Sequence, residues 1–157
     1  MADPSGASPQ RFCGLIPAYN VARTIPQVVQ QTRQHLSMVL VVDDGSQDAT
    51  AHLARESGAT VLSIPKNQGK GWALRSGFKD LLQEPWEGII TLDGDLQHDP
   101  VEIPKLIEEY DKTKPDIVIG SRMAEAEKIP GIRYWTNRVG VFCISWAAGQ
   151  PLADTQS

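Results

Sequence analysis

The chain has 157 residues, enough for one domain with a real core and not obviously for two. Apolar residues make up 41% and charged residues 22%, the balance of a globular domain, and a net charge of −4 leaves no basic footprint for nucleic acid or an anionic membrane surface. Cys13 and Cys143 sit in apolar stretches without zinc or disulfide spacing, which points to a reducing compartment, and no apolar run reaches the ~18 residues of a membrane span.

Residues 1–10, MADPSGASPQ, lack the basic and apolar regions of a signal peptide and read as a disordered leader, leaving 11–157 as a single domain. RFCGLIP is a continuous apolar run, as in a strand buried on both faces of a parallel sheet. In TIPQVVQQTRQHL, a Thr24 cap and a stripe of Ile25, Val28, Val29, Thr32 and Leu36 predict a helix. SMVLVVD is a second buried strand. Asp48 then caps a short helix through Glu56, and Gly58 ends it. ATVLSI follows as a strand, and a third helix carries Ala73, Leu74, Gly77, Phe78, Leu81 and Leu82. GIITLD is a fourth strand, and Pro100 opens a fourth helix facing inward through Ile103, Leu106, Ile107 and Tyr110. PDIVIG reads as a fifth strand, AEAEKIPG as a polar loop, and IRYWTNRVGVFCISWAAG as a helix, with core packing favoured over a membrane surface. Alternating strands and helices predict an α/β domain with right-handed crossovers.

The chemistry concentrates at strand ends. ITLDGDLQHDP places Asp93 and Asp95 two residues apart at the end of the fourth strand, where alternate side chains share a side. Two carboxylates ~6 Å apart repel by about 3 kcal/mol at an effective dielectric of about 20. Mg²⁺ or Mn²⁺ would offset that, with Gln97 adding a neutral oxygen; a solvated acidic turn is the plainer alternative. Asp43 and Asp44 end the second strand, and one of them can accept hydrogen bonds from a ribose or base. IPAYN ends the first strand, with Pro17 and Asn20 as turn residues and Tyr19 able to stack on a base. PKNQGKGWAL is not a Walker A loop, but a turn around Lys70 at a helix start can face an anion. Arg122, after the fifth strand, can pair with a diphosphate, and Arg133 and Arg138 with a second phosphate; singly, each reads more often as a solvated surface charge. Ligands of open α/β sheets bind beyond the carboxyl ends of strands, so convergence of three such clusters is the strongest signal.

IPAYN, VVDDGSQDAT, NQGKGWALRSGF, LDGDLQHDP, DIVIGSR and DTQS occur in that order, and the set resembles family 2 glycosyltransferases of the GT-A fold, in particular the polyprenyl-phosphate sugar transferases. The resemblance runs over roughly residues 12 to 157. It implies a Rossmann-like, mostly parallel sheet flanked by helices, a nucleotide-sugar donor of GDP-mannose or UDP-glucose type, and inverting transfer to a polyprenyl phosphate or similar acceptor, in the cytoplasm or at the cytoplasmic face of a membrane. It also implies residue roles. Pro17, Tyr19 and Asp43 or Asp44 would hold the nucleoside; Asp93, Asp95 and Gln97 would hold Mg²⁺ or Mn²⁺ against the diphosphate; Arg122 and Arg133 would approach donor and acceptor phosphates. Three departures stand out. Val21 replaces a common Glu, Asn137 replaces a common Ser, and DTQS stops where relatives continue, which implies that the C-terminal part is missing. Two other functions remain open: a non-catalytic nucleotide-sugar-binding remnant, and a sugar-1-phosphate nucleotidyltransferase, which PAYNVART does not fit.

Overall fold

The computed structural model describes residues 11–120. Four strands, β1 (Phe12–Ala18), β2 (Val39–Asp43), β3 (Thr60–Ser63) and β4 (Gly88–Thr91), form one sheet in the order β3-β2-β1-β4. Every pairing is parallel, with Ala18 opposite Asp43, Asp43 opposite Ser63, and Leu15 opposite Thr91. The crossovers carry α1 (Ile25–Thr32), α2 (Thr50–Glu56) and α3 (Lys70–Leu81); a 3₁₀ turn at Pro100–Glu102 leads into α4 (Ile103–Thr113). The chain divides into two compact units after Pro104, and the first carries the whole sheet.

The two central strands are apolar up to Asp43, at the end of β2, because both faces are covered. Leu15, Leu40 and Val42 are fully buried in a cluster with Ala73 and Leu81 of α3. On the opposite face, a Cβ added to Gly14 would lie 3.2 Å from Thr32 and 3.4 Å from Leu36. Each fully buried Leu or Val contributes about 1.5–3 kcal/mol from leaving water. Burial also pushes the Cys13 thiol up to about 11, so it stays protonated and unreactive at neutral pH.

α3 approaches the sheet closely at Gly77, where an added Cβ would lie 2.3 Å from Leu15 Cδ1 and 3.0 Å from Val42 Cγ2. Gly77→Val is therefore predicted to destabilise the fold by about 3 kcal/mol through overpacking. Gly71 on the same helix has nothing within 4 Å of an added Cβ. Gly71→Ala should instead be neutral or gain up to about 1 kcal/mol of helix propensity. Urea midpoints compare the two, and equal midpoints would remove the close-approach argument.

Several sequence expectations shift at element ends. α1 ends at Thr32, and Leu36 reaches the core (3% exposed) from the turns that follow. Thr24 is the N-cap residue of α1, but its hydroxyl makes no cap bond. At α2 the N-cap is Ala49, and Asp48 acts from one residue earlier, accepting from the Thr50 N–H at 2.9 Å and from the Thr50 hydroxyl. Burial pushes the Asp48 carboxyl up, but these bonds and the Ala22 N–H outweigh it and hold it below the ordinary carboxylate range. Its stabilisation is thus present above that range and lost as pH falls through the lowered value. Leu82 is 68% exposed, because α3 ends at Leu81.

The expected strand PDIVIG does not form. Residues 115–120 carry no strand, and Ile117 and Ile119 are 76% and 50% exposed. Branched apolar residues favour extended backbone, but a strand also needs a ladder partner. Among the described residues, β4 is the edge of the sheet and no strand pairs with its outer side.

Candidate active site

β2 lies on one side of β1 and β4 on the other. That reversal makes a crevice beyond the carboxyl ends of β1 and β4, the usual ligand position in open parallel sheets. A cleft of about 410 Å³ lies there. Pro17 and Tyr19 line it from the end of β1, Asp44 from β2, Asn67 and Lys70 from the approach to α3, and Asp93, Gly94, Asp95 and Gln97 from beyond β4. Its size is that of a small-ligand site.

Tyr19 is 43% exposed and lines the cleft. Asn20 is turned to a different task. At φ 52 it sits in the left-handed region, accepts from the Gln47 N–H through Oδ1 at 2.8 Å, and donates its own N–H to Ser46 Oγ at 2.9 Å. The Val21 N–H donates to Thr50 Oγ1 and the Ala22 N–H to Asp48 Oδ2, so the loops after β1 and β2 are stitched together along their length.

The doubled acid after β2 divides its work. Asp43 is buried, accepts from the Ser46 N–H at 3.2 Å, and is not on the cleft wall. Asp44 is on the wall, yet both its oxygens face the loop before α3: it accepts from the Gln68 N–H at 2.9 and 3.1 Å and from the Gly69 N–H at 2.7 Å. Gly45 completes the seat. Its φ is +71, and an added Cβ would lie 2.7 Å from the Asn67 nitrogen.

β4 ends at Thr91, so Asp93 and Asp95 stand in the following turn and not within the strand itself. They still line one cleft. Lys70 Nζ lies 2.6 Å from Asp93 Oδ1, placing a cation beside the first acid. The Asp93 N–H donates to His98 Nδ1 at 3.0 Å, which leaves that ring nitrogen as the acceptor. Asp95 accepts from the Gln97 N–H at 3.0 Å and from the Gln97 side-chain amide. Between them Leu96 adopts φ 66, a strained value for a bulky residue. Asp99 accepts from the Val101 N–H at 3.0 Å and caps the 3₁₀ turn.

Among the described residues, no three His, Cys, Asp or Glu side chains gather as a complete metal cage. The donors that do converge are hard oxygens: two carboxylates and an amide beside one cleft. That set fits Mg²⁺ or Mn²⁺ of the kind held by one or two carboxylates and completed by water and substrate phosphate. Asn67 also lines the cleft and is absent from the motif-based residue set; its position just before the Lys70 turn was the available signal. Arg122 and Arg133 lie outside the described residues, as do Arg138, Asn137, Cys143, the 132–149 segment and DTQS.

Comparisons with known proteins agree with this geometry. The family model Glycosyl transferase family 2 matches residues 14–144. Glycosyltransferase AglJ of Haloferax volcanii is 37% identical over 134 residues, covering 85% of this chain and 42% of that protein. Undecaprenyl-phosphate 4-deoxy-4-formamido-L-arabinose transferase of Pseudomonas aeruginosa is 31% identical over 156 residues, covering 89% of this chain and 43% of that protein. Among solved structures, glucosyl-3-phosphoglycerate synthase from Mycobacterium tuberculosis, in complex with Mn²⁺, UDP-glucose and phosphoglyceric acid, superposes with a TM-score of 0.53. It is 27% identical, over 64% of this chain and 39% of that one. The chain thus spans about two fifths of the length of these relatives. The expected α/β, GT-A class with a parallel sheet flanked by helices is the observed one. By sequence match and by fold, the chain belongs to glycosyl transferase family 2.

Proposed function

We propose that the protein is an inverting glycosyltransferase that moves a sugar from a nucleotide-diphosphate donor, of GDP-mannose or UDP-glucose type, to a polyprenyl phosphate or similar acceptor. The observation that carries this reading is the meeting of Tyr19, Lys70, Asp93 and Asp95 on one cleft at the β1/β4 switch point. Named relatives point the same way: one transfers a sugar to undecaprenyl phosphate by its name, and another was crystallised with Mn²⁺ and UDP-glucose.

In this reading Pro17 and Tyr19 receive the nucleoside, and Asp44 serves them indirectly by holding the Gln68–Gly69 loop that forms the next stretch of wall. Asp93, Asp95 and Gln97 hold Mg²⁺ or Mn²⁺. Bound there, the metal would neutralise charge on the departing diphosphate. Lys70 sits where its ammonium can reach the same phosphates once a divalent ion relieves it of Asp93. Arg122 and Arg133 take the donor and acceptor phosphates. An acceptor phosphate oxygen attacks the anomeric carbon, and the bond to the diphosphate breaks with its electron pair leaving on the nucleotide. A lipid phosphate is already ionised near neutral pH, so no strong general base is required. That suits a site in which Asp99 is occupied as a cap. No helix among the described residues is long and apolar enough to cross a membrane. The lipid acceptor is proposed to be met at the cytoplasmic face of a membrane.

Calorimetric titration with GDP-mannose and UDP-glucose, in Mn²⁺ and then in chelator, tests the donor site. Metal-dependent binding of one donor supports the reading and identifies the nucleotide. Absence of binding by both in Mn²⁺ rejects it.

A further inference from the structure

We infer that Thr24 is a positioning residue for the Asp93–Gln97 turn, acting from the N-cap of α1 through the Gly94 carbonyl; its functional consequence rests on the metal-site reading above. Thr24 Oγ1 lies 2.6 Å from the Gly94 carbonyl oxygen and 3.2 Å from the Val21 carbonyl oxygen. A hydroxyl has one proton to donate, so the shorter contact to Gly94 takes it. Gly94 is the residue between the two acids, and it is buried. Its Cα faces the same element: an added Cβ would meet Val21 Cγ2 at 3.2 Å, the Pro17 carbonyl at 3.5 Å and Ile25 Cδ1 at 3.6 Å. The turn is therefore docked on the β1–α1 connection by one hydrogen bond and by close packing.

This docking matters because the turn is not self-sufficient. Leu96 holds φ 66, a conformation that costs free energy and persists only where the surroundings enforce it. The local bonds, Asp93 N–H to His98 and Gln97 N–H to Asp95, both lie within the turn segment. Thr24 supplies a tie from 70 residues away. It fixes where the carboxylates sit relative to Pro17 and Tyr19, which leave β1 just ahead of it. Thr24 touches no cleft ligand in this account; it acts through Gly94.

The test pairs Thr24→Val, which keeps the shape and removes the hydroxyl, with Thr24→Ser, which keeps the hydroxyl. Amide hydrogen exchange at Asp93 and Gln97 reports the turn directly. Loss of one buried hydrogen bond should speed exchange there about tenfold in Thr24→Val. Thr24→Ser should stay near the unmodified protein, and β1 and β2 amides should be unchanged in both. Unchanged exchange at Asp93 and Gln97 in Thr24→Val overturns the inference. So does a uniform acceleration across the sheet, or unfolding, which would make Thr24 a general fold residue. A second readout is the Mn²⁺-dependent part of UDP-glucose or GDP-mannose affinity, expected to fall in Thr24→Val and return in Thr24→Ser, with chelator-state affinity unchanged. If the unmodified protein shows no metal-dependent affinity, the functional reading fails, while the exchange data still decide the anchor.

Discussion

Asp95→Asn is expected to abolish metal-dependent donor binding, lowering affinity by about a hundredfold or more, with little change in stability. The expectation follows from what each acid touches. Asp93 has a Lys70 ammonium at 2.6 Å and a half-hidden position, so its charge is already answered within the protein. Asp95 is exposed, and among the described residues its oxygens accept from neutral N–H donors of Gln97. It is therefore the acid with the most unneutralised charge to offer a divalent ion. Asparagine keeps the side-chain size and an acceptor for the Gln97 N–H, so the turn should survive while the charge is lost. Calorimetry with Mn²⁺ and the donor that binds, alongside a thermal melt, separates the two effects. Unchanged affinity with an unchanged melt would sink the metal assignment. Asp93→Asn should behave differently, because it also releases Lys70 into the cleft.

The sheet was legible because its central strands obey a simple rule. Runs such as RFCGLIP and SMVLVVD are apolar on both faces, and both became fully covered strands. PDIVIG obeys the same rule and is not a strand, since composition reports burial preference and not the presence of a ladder partner. The cleft was legible for a topological reason: Pro17, Tyr19, Asp44 and Asp93 all follow strand ends, and in a parallel sheet those ends meet. What stayed hidden were partners distant in the chain. Thr24 looked like a helix cap, yet its hydroxyl serves Gly94; Asn20 read as a turn residue, and its side-chain oxygen also accepts from the Gln47 N–H of the next loop. The acid pair was expected to need an outside cation, and Lys70, 23 positions away, already sits beside one member. No periodicity or motif spacing encodes such contacts, because side-chain pairing across loops depends on where the folded backbone brings them.

Asp44→Ala is expected to cost about 3 kcal/mol of stability, and Asp44→Asn nearly as much. Asp44 is 2% exposed, and its two oxygens take the N–H groups of Gln68 and Gly69 just where the chain enters α3. Those N–H groups belong to a loop and to the first residues of a helix, where no backbone acceptor is available to them. Alanine leaves them unpaired and opens a gap beside Gly45, whose backbone is already pressed against Asn67. Asparagine has the right shape but the wrong polarity: one of its two terminal groups becomes an NH₂, and in either orientation that donor meets an N–H. The near equality of the two variants is the discriminating feature, since a purely steric role would let asparagine restore stability. The same loop carries Asn67 and Lys70 onto the cleft wall, so both variants should also loosen the Lys70–Asp93 pair and weaken donor binding. Chemical denaturation of the two variants gives the stability order. Full recovery in Asp44→Asn would show that Asp44 fills space at the loop and does not hold it through its charge-assisted bonds.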